Sequence, residues 1–181
     1  LNEFAKERRG GKLAINLKDD ELIDVLLTDG SKEIIIGTRN GIAARFKESD
    51  VRVMGRNASG VRGIHLKDKD SVVGLTIANE NESLLTVTEN GYGKRTKISE
   101  YRLVGRGGKG VTNIKADKVG KVIGVKNVKE EYGIMIITSK GNVIRMKAKD
   151  ISLIGRATQG IRLIKLAEND KVVSVARVFG Q

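Results

Sequence analysis

Gly41-Ile42-Ala43-Ala44-Arg45-Phe46-Lys47, followed by Gly55-Arg56 and Gly60-Val61-Arg62, is the stretch on which the fold turns. It recurs as Gly91-Tyr92-Gly93-Lys94-Arg95-Thr96-Lys97 with Gly105-Arg106 and Gly110-Val111. It recurs again as Gly141-Asn142-Val143-Ile144-Arg145-Met146-Lys147 with Gly155-Arg156 and Gly160-Ile161-Arg162. The period is 50 residues, with no insertion between copies. A fixed period of this length is the signature of a repeat architecture.

Working outward, nine columns are identical in all three copies: those of Thr38, Gly41, Arg45, Lys47, Gly55, Arg56, Gly60, Ile64 and Val72. Residues 33–82, 83–132 and 133–181 read as three full repeats, and residues 1–32 as the second half of another. Each repeat opens on an apolar run, such as Ile34-Ile35-Ile36, then a turn such as Arg39-Asn40-Gly41. Asn-Gly between two β-rich runs is a hairpin signal, because both residues accept positive φ. The returning strand alternates, with Ala44 and Phe46 on one face and Arg45 and Lys47 on the other. Such alternation predicts one buried and one solvated face. The second copy departs, placing Lys94 and Thr96 on the inner face. Two further apolar segments, near Gly60–Leu66 and Val72–Ile77, give about four strands per repeat, the count of a propeller blade. No window carries helical periodicity of useful length; only a short turn at Glu48-Ser49-Asp50 is a helical candidate. The fold class expected is all-β.

The 181 residues carry 34 Lys+Arg against 22 Asp+Glu, a net charge of +12 that points to an anionic polymer or surface as partner. Aromatics are only 3% of the chain, so the core must be aliphatic. With no cysteine, disulfides and thiolate chemistry are excluded. No apolar run approaches the ~18 residues of a membrane span, so no membrane is expected. No signal peptide is visible. The chain opens on Leu1 rather than Met, and a piece of a longer protein is expected.

The repeated cations are the candidate site. Arg45 and Lys47, two apart on a strand, place their heads roughly 6–7 Å apart. That is comparable to the roughly 7 Å between phosphates along one DNA strand. Lys94, Arg95 and Lys97, then Arg145 and Lys147, repeat the arrangement. Arg56, Arg106 and Arg156 follow a glycine in a turn whose backbone N–H groups could also hold phosphate. Arg62, Lys109, Arg162 and the early Arg8, Arg9 and Lys12 complete the set. The bland alternative is a solvated edge whose charges discourage aggregation. Three pairs in register favour phosphate contact.

Catalysis finds no support. Asp50, Glu100 and Asp150 share one column but sit in separate modules, as turn caps or salt-bridge partners do. His65 is the only histidine, and its column reads His65, Lys115, Lys165, an exposed basic position. Gly105–Gly110 is glycine-rich but lacks the Ser/Thr after Lys of a nucleotide P-loop. No metal site is expected.

Over nearly the whole chain, the motifs resemble those of the DNA gyrase A C-terminal domain family: Phe46–Arg52 with Met54-Gly55-Arg56 and Gly60–Ile64, then Thr88–Thr96, then Ile154–Ile161. The resemblance implies a β-pinwheel, a propeller-like disc of four-stranded blades with a basic perimeter that bends and wraps double-stranded DNA nonspecifically. It implies a non-catalytic module whose parent, a type IIA topoisomerase, introduces negative supercoils. ATP and Mg would act elsewhere in that parent, and no cofactor is implied for this chain. The implied partners are the gyrase A cleavage core and gyrase B in an A2B2 assembly, in a bacterial cytoplasm near the nucleoid. Glu7-Arg8-Arg9-Gly10-Gly11-Lys12-Leu13 is similar to the family's gyrase-A box, Gln-Arg-Arg-Gly-Gly-Lys-Gly, but differs at both ends. Gly11 falls on the Gly60 column, so the true box is expected upstream, and the chain is expected to hold the last three blades plus half of another. The alternatives are the related topoisomerase IV C-terminal domain and a propeller-type protein-interaction scaffold.

Overall fold

A computed structural model describes residues 9–67 and 69–178. The strands are β1 (Glu33–Thr38), β2 (Ile42–Lys47), β3 (Val72–Ile77), β4 (Ser83–Thr88), β5 (Tyr92–Lys97), β6 (Val111–Thr112), β7 (Val122–Val128), β8 (Gly133–Thr138), β9 (Val143–Lys147), β10 (Ile161–Arg162) and β11 (Val172–Val178). The only α-helix among the described residues is one turn, α1 (Ala116–Val119). Three 3-10 turns, Glu48–Asp50, Ile98–Glu100 and Ala148–Asp150, follow β2, β5 and β9 at the position the sequence marks as a helical candidate.

The sheets are antiparallel, in the orders β3-β1-β2-β6, β7-β4-β5-β10 and β11-β8-β9. Each hairpin has the register expected of its Gly turn, with Ile35 opposite Arg45, Leu85 opposite Arg95 and Met135 opposite Arg145. Repeat and sheet do not coincide. The outer strand of the first sheet is β6, from the second repeat, pairing Val111 with Ala43 and Thr112 with Ile42. The outer strand of the second is β10, from the third repeat, pairing Ile161 with Gly93. Each of these two sheets therefore takes its fourth strand from the next repeat, which is what turns a propeller into a pinwheel. Within the described residues β9 has no such strand beside it.

Glycine makes the exchange possible. Gly110 (φ 69) and Gly160 (φ 77) open the exchanged strands in the left-handed region. A Cβ on either would lie 2.6 Å from a carbonyl oxygen, of Ala43 and Gly93 respectively. Only glycine meets both the backbone angle and the approach.

β3 adjoins β7, and β7 adjoins β11, so those edges face the shared interior and the exchanged strands lie on the far side of each sheet. Two cores lie between consecutive sheets. One joins Ile35 and Ala43 to Leu84, Ile98, Ile114 and Val125; the other joins Leu85, Val87 and Val128 to Ile134, Ile136, Ile151 and Val175. Neighbouring residues Leu84 and Leu85 thus point into different cores, and β4 is buried along its whole length. Covered on both faces, the strand carries no charged residue, and the three buried hydroxyls of β4 each find a hydrogen-bond partner. The buried members of both cores are aliphatic apart from Tyr101, whose hydroxyl donates to Asn113 Oδ1 at 2.6 Å.

Candidate nucleic-acid interface

Strands β2, β5 and β9 end on Lys47, Lys97 and Lys147, all exposed. The exchanged-strand column ends on exposed Arg62, Thr112 and Arg162, and Lys109 is exposed just before β6. Arg162 stacks over Tyr92, 5.5 Å from its ring centre, and donates to the Tyr92 hydroxyl at 3.0 Å. That contact fixes one rim guanidinium in place. Arg9 is exposed and Lys12 half-buried in the N-terminal segment, while Arg8 lies outside the described residues.

Arg45 and Arg95 are not on the free rim, which corrects the expectation that they share the solvated face with Lys47 and Lys97. The alternation is in phase, since Ala44 and Phe46 are buried. The opposite face, however, is roofed by the 3-10 turn of the next repeat. Arg45 donates to the carbonyls of Ile98 and Tyr101, both at 3.2 Å, and pairs with Glu33 at 2.6 Å and Glu80 at 2.5 Å. Burial alone would lower its pKa, but the two carboxylates raise it. Arg95, 5% exposed, donates to the carbonyls of Ile151 (2.8 Å) and Lys149 (3.4 Å) and pairs with Glu130 at 3.3 Å. Both are clamps from one repeat to the next. Arg145, the third member of the column, is exposed, and its repeat carries Gly180 where Glu80 and Glu130 stand.

Lys94 is likewise removed from the rim, at 0% exposed. Its Nζ donates to the carbonyl of Gly155 at 2.6 Å and to that of Arg156. Burial pushes its pKa down to about 8, with Glu100 opposing and Arg156 adding to the shift. Beside it the Thr96 hydroxyl donates to the Ile154 carbonyl at 2.8 Å. Polar side chains therefore occupy an inner face because carbonyls of the next repeat satisfy them.

The loop arginines are half-buried and engaged. Arg106 donates to the carbonyls of Asp50 (2.9 Å) and Arg62 (2.6 Å), Arg156 to Thr112 (2.7 Å) and Arg56 to Leu13 (3.3 Å). Leu13, Arg62 and Thr112 share one column of the repeat, so the Gly-Arg loop is a latch onto that column of the preceding repeat, which in Thr112 is the end of the exchanged strand β6. The loop amides that the sequence offers to phosphate are partly taken: Arg156 N–H donates to Glu100 at 3.1 Å and Gly107 N–H to Gly63 at 2.8 Å.

The cations of the expected set that remain exposed are Lys47, Lys97, Lys147, Arg62, Lys109, Arg145, Arg162 and Arg9, with the loop arginines half-buried. Sequence reasoning leaves exposed Arg52 and Arg102, which share a column broken by Ser152, out of the candidate set, whereas the column of His65, Lys115 and Lys165 is exposed as expected. The 50-residue period is the signal that marks them. Among the described residues no group of three or more His, Cys, Asp or Glu is placed to hold a metal, and no helix is long and apolar enough to cross a membrane.

A strand-exchanged, propeller-like array with exposed lysines repeated at one register position defines the class: a β-pinwheel of the kind carried by type IIA topoisomerases. The model of the DNA gyrase C-terminal domain, beta-propeller family matches residues 1–29, 32–79, 82–129 and 134–178, and the chain belongs to that family. A stretch of 65 residues (35% of the chain) is 62% identical to the DNA gyrase A protein of Halalkalibacterium halodurans, and 79 residues (43%) are 51% identical to that of Staphylococcus epidermidis. These stretches cover 8% and 9% of those proteins. A solved DNA gyrase A C-terminal domain superposes with a TM-score of 0.85 at 32% identity, over 93% of this chain and 58% of that one. A topoisomerase IV C-terminal domain superposes with 0.90 at 31% identity, over 97% and 56%. The chain thus spans little more than half of the solved domains it matches.

Proposed function

We propose that the rim binds duplex DNA through its phosphates, without reading bases, and bends it as the DNA-wrapping module of a DNA gyrase A protein. The observation that carries this is the recurrence of exposed Lys47, Lys97 and Lys147 at one register position, the last residue of β2, β5 and β9, with exposed Arg162 paired to the opposite end of β5. Cations at a fixed structural interval suit a polyanion of fixed charge spacing. A scaffold for peptides would have no use for such a series.

Within the longer protein, this module delivers a wrapped segment to the gyrase A cleavage core. Gyrase B supplies ATP hydrolysis in an A2B2 assembly in the bacterial cytoplasm, and negative supercoils result. The topoisomerase IV reading has the higher structural overlap in its favour, but curated relatives at 49–62% identity in the matched stretches are gyrase A proteins. Reversing Lys47→Glu, Lys97→Glu and Lys147→Glu together tests the rim. Duplex affinity should fall about 100-fold or more at low salt, in keeping with three lost phosphate contacts. Affinity within about twofold of the parent would sink the proposal.

A further inference from the structure

One feature of the rim is not cationic. Val53, Leu103 and Leu153 form a column that is apolar in all three copies and exposed in all three, at 101%, 44% and 43%. Several other exposed aliphatics lie where the array has no neighbouring strand among the described residues. Leu13, Leu22, Ile23, Val25 and Leu27 lie in the N-terminal segment, and Val143 lies on the open edge of β9. Val53 belongs with these, because the repeat that would precede its own has no strand among the described residues.

Leu103 and Leu153 have no such explanation. Each is docked on the preceding repeat, Leu103 bridged to Arg45 and Leu153 to Arg95. The next residues are fixed as well, Val104 N–H donating to the Arg45 carbonyl and Ile154 N–H to that of Arg95, both at 2.9 Å. With this docking complete, each leucine still shows about two-fifths of its surface.

Their surroundings are charged. Exposed Arg102 precedes Leu103, and Arg106 and Arg156 follow the two leucines by three residues. Exposed Lys47 and Lys97 lie two residues beyond the bridged arginines on β2 and β5. An apolar tip with cations at neighbouring positions, repeated at successive blades, matches a ligand with an apolar interior flanked by phosphates. A bent duplex presents that pattern where its minor groove faces the protein, and apolar side chains entering there part-unstack a base step and favour the bend.

We propose that Leu103 and Leu153 enter the minor groove of the bound duplex and loosen one base step at each of their blades, while the flanking cations hold the neighbouring phosphates. The inference rests on the DNA-binding reading and adds to it a source of bending separate from charge. It also gives a mild preference for flexible pyrimidine–purine steps at blade spacing, since those unstack at least cost.

The test compares the chain with Leu103→Ser/Leu153→Ser and Leu103→Met/Leu153→Met variants. The duplex carries dyes at its ends to report bending and 2-aminopurine to report unstacking; affinity and its salt slope are read in parallel. The serine variant should lose at least about half of the bend and of the fluorescence rise, with affinity within about fivefold and an unchanged salt slope. The methionine variant, apolar and of similar volume, should keep both signals and so exclude a mere folding defect. A parent chain that binds with a steep salt slope but raises no fluorescence, or a serine variant that bends as well as the parent, overturns the wedge and leaves phosphate binding standing. No duplex binding at low salt would overturn the DNA-binding reading itself.

Discussion

Lys94 shows what a single residue does when a neighbouring repeat closes over it. Its amine is fully buried against two carbonyls, and burial lowers its pKa to about 8. In the unfolded chain it titrates near 10.5. Between those values the unfolded state holds a proton that the folded state has released, so stability rises with pH across that window. Tyr101 acts in the opposite sense, because burial raises its pKa and stability falls once the unfolded phenol ionises near 10. The thermal midpoint should therefore climb from about pH 8 to about pH 10 and then turn over. Lys94→Met should abolish the climb, and an unchanged slope in that variant would refute the assignment. Arg95 gives a second prediction. Arg95→Met breaks a buried clamp and should cost about 2–4 kcal/mol in denaturant unfolding. Arg145→Met, in the same column but exposed, should stay within about 0.5 kcal/mol.

At the scale of elements, the exchanged strand governs order. The Arg95 amide donates to the Ser152 carbonyl at 2.9 Å, across the joint between repeats. Its counterpart on β9 faces an edge with no strand among the described residues. Native-state hydrogen exchange should be at least about tenfold faster at the Arg145 amide than at the Arg95 amide, since local opening there breaks no interstrand bond. Equal protection would mean that β9 is covered in solution. The hairpins themselves were legible from Asn90-Gly91 and the Ile-Ile-Ile run of β1, because turn chemistry and period-two alternation are local. The exchange was not legible. Gly110-Val111 looks the same whether the strand stays in its own repeat or crosses to another, and only the clash at the Ala43 carbonyl tells them apart. For the same reason Arg45 reads as a rim residue in sequence. Its alternation places it outside its own sheet, yet the 3-10 turn of the next repeat covers it, a contact between residues more than fifty apart.

For the molecule as a whole, the correction to Arg45, Arg95 and Lys94 divides the repeated cations into two sets. One set holds successive repeats in line by donating to backbone carbonyls. The other, led by Lys47, Lys97 and Lys147, is left exposed, and in the proposed function it faces the polyanion. The net charge of +12 by itself predicts attraction to DNA but no geometry. The geometry comes from the clamps, which fix the interval at which the free cations recur. The most direct test is the salt dependence of duplex affinity. With about six phosphates neutralised by the exposed rim, log Kd plotted against log salt should rise with a slope of roughly 5, the same for unrelated sequences. A Kd that changes by less than about twofold between about 50 and about 200 mM salt would contradict the claim that this rim binds DNA through its phosphates.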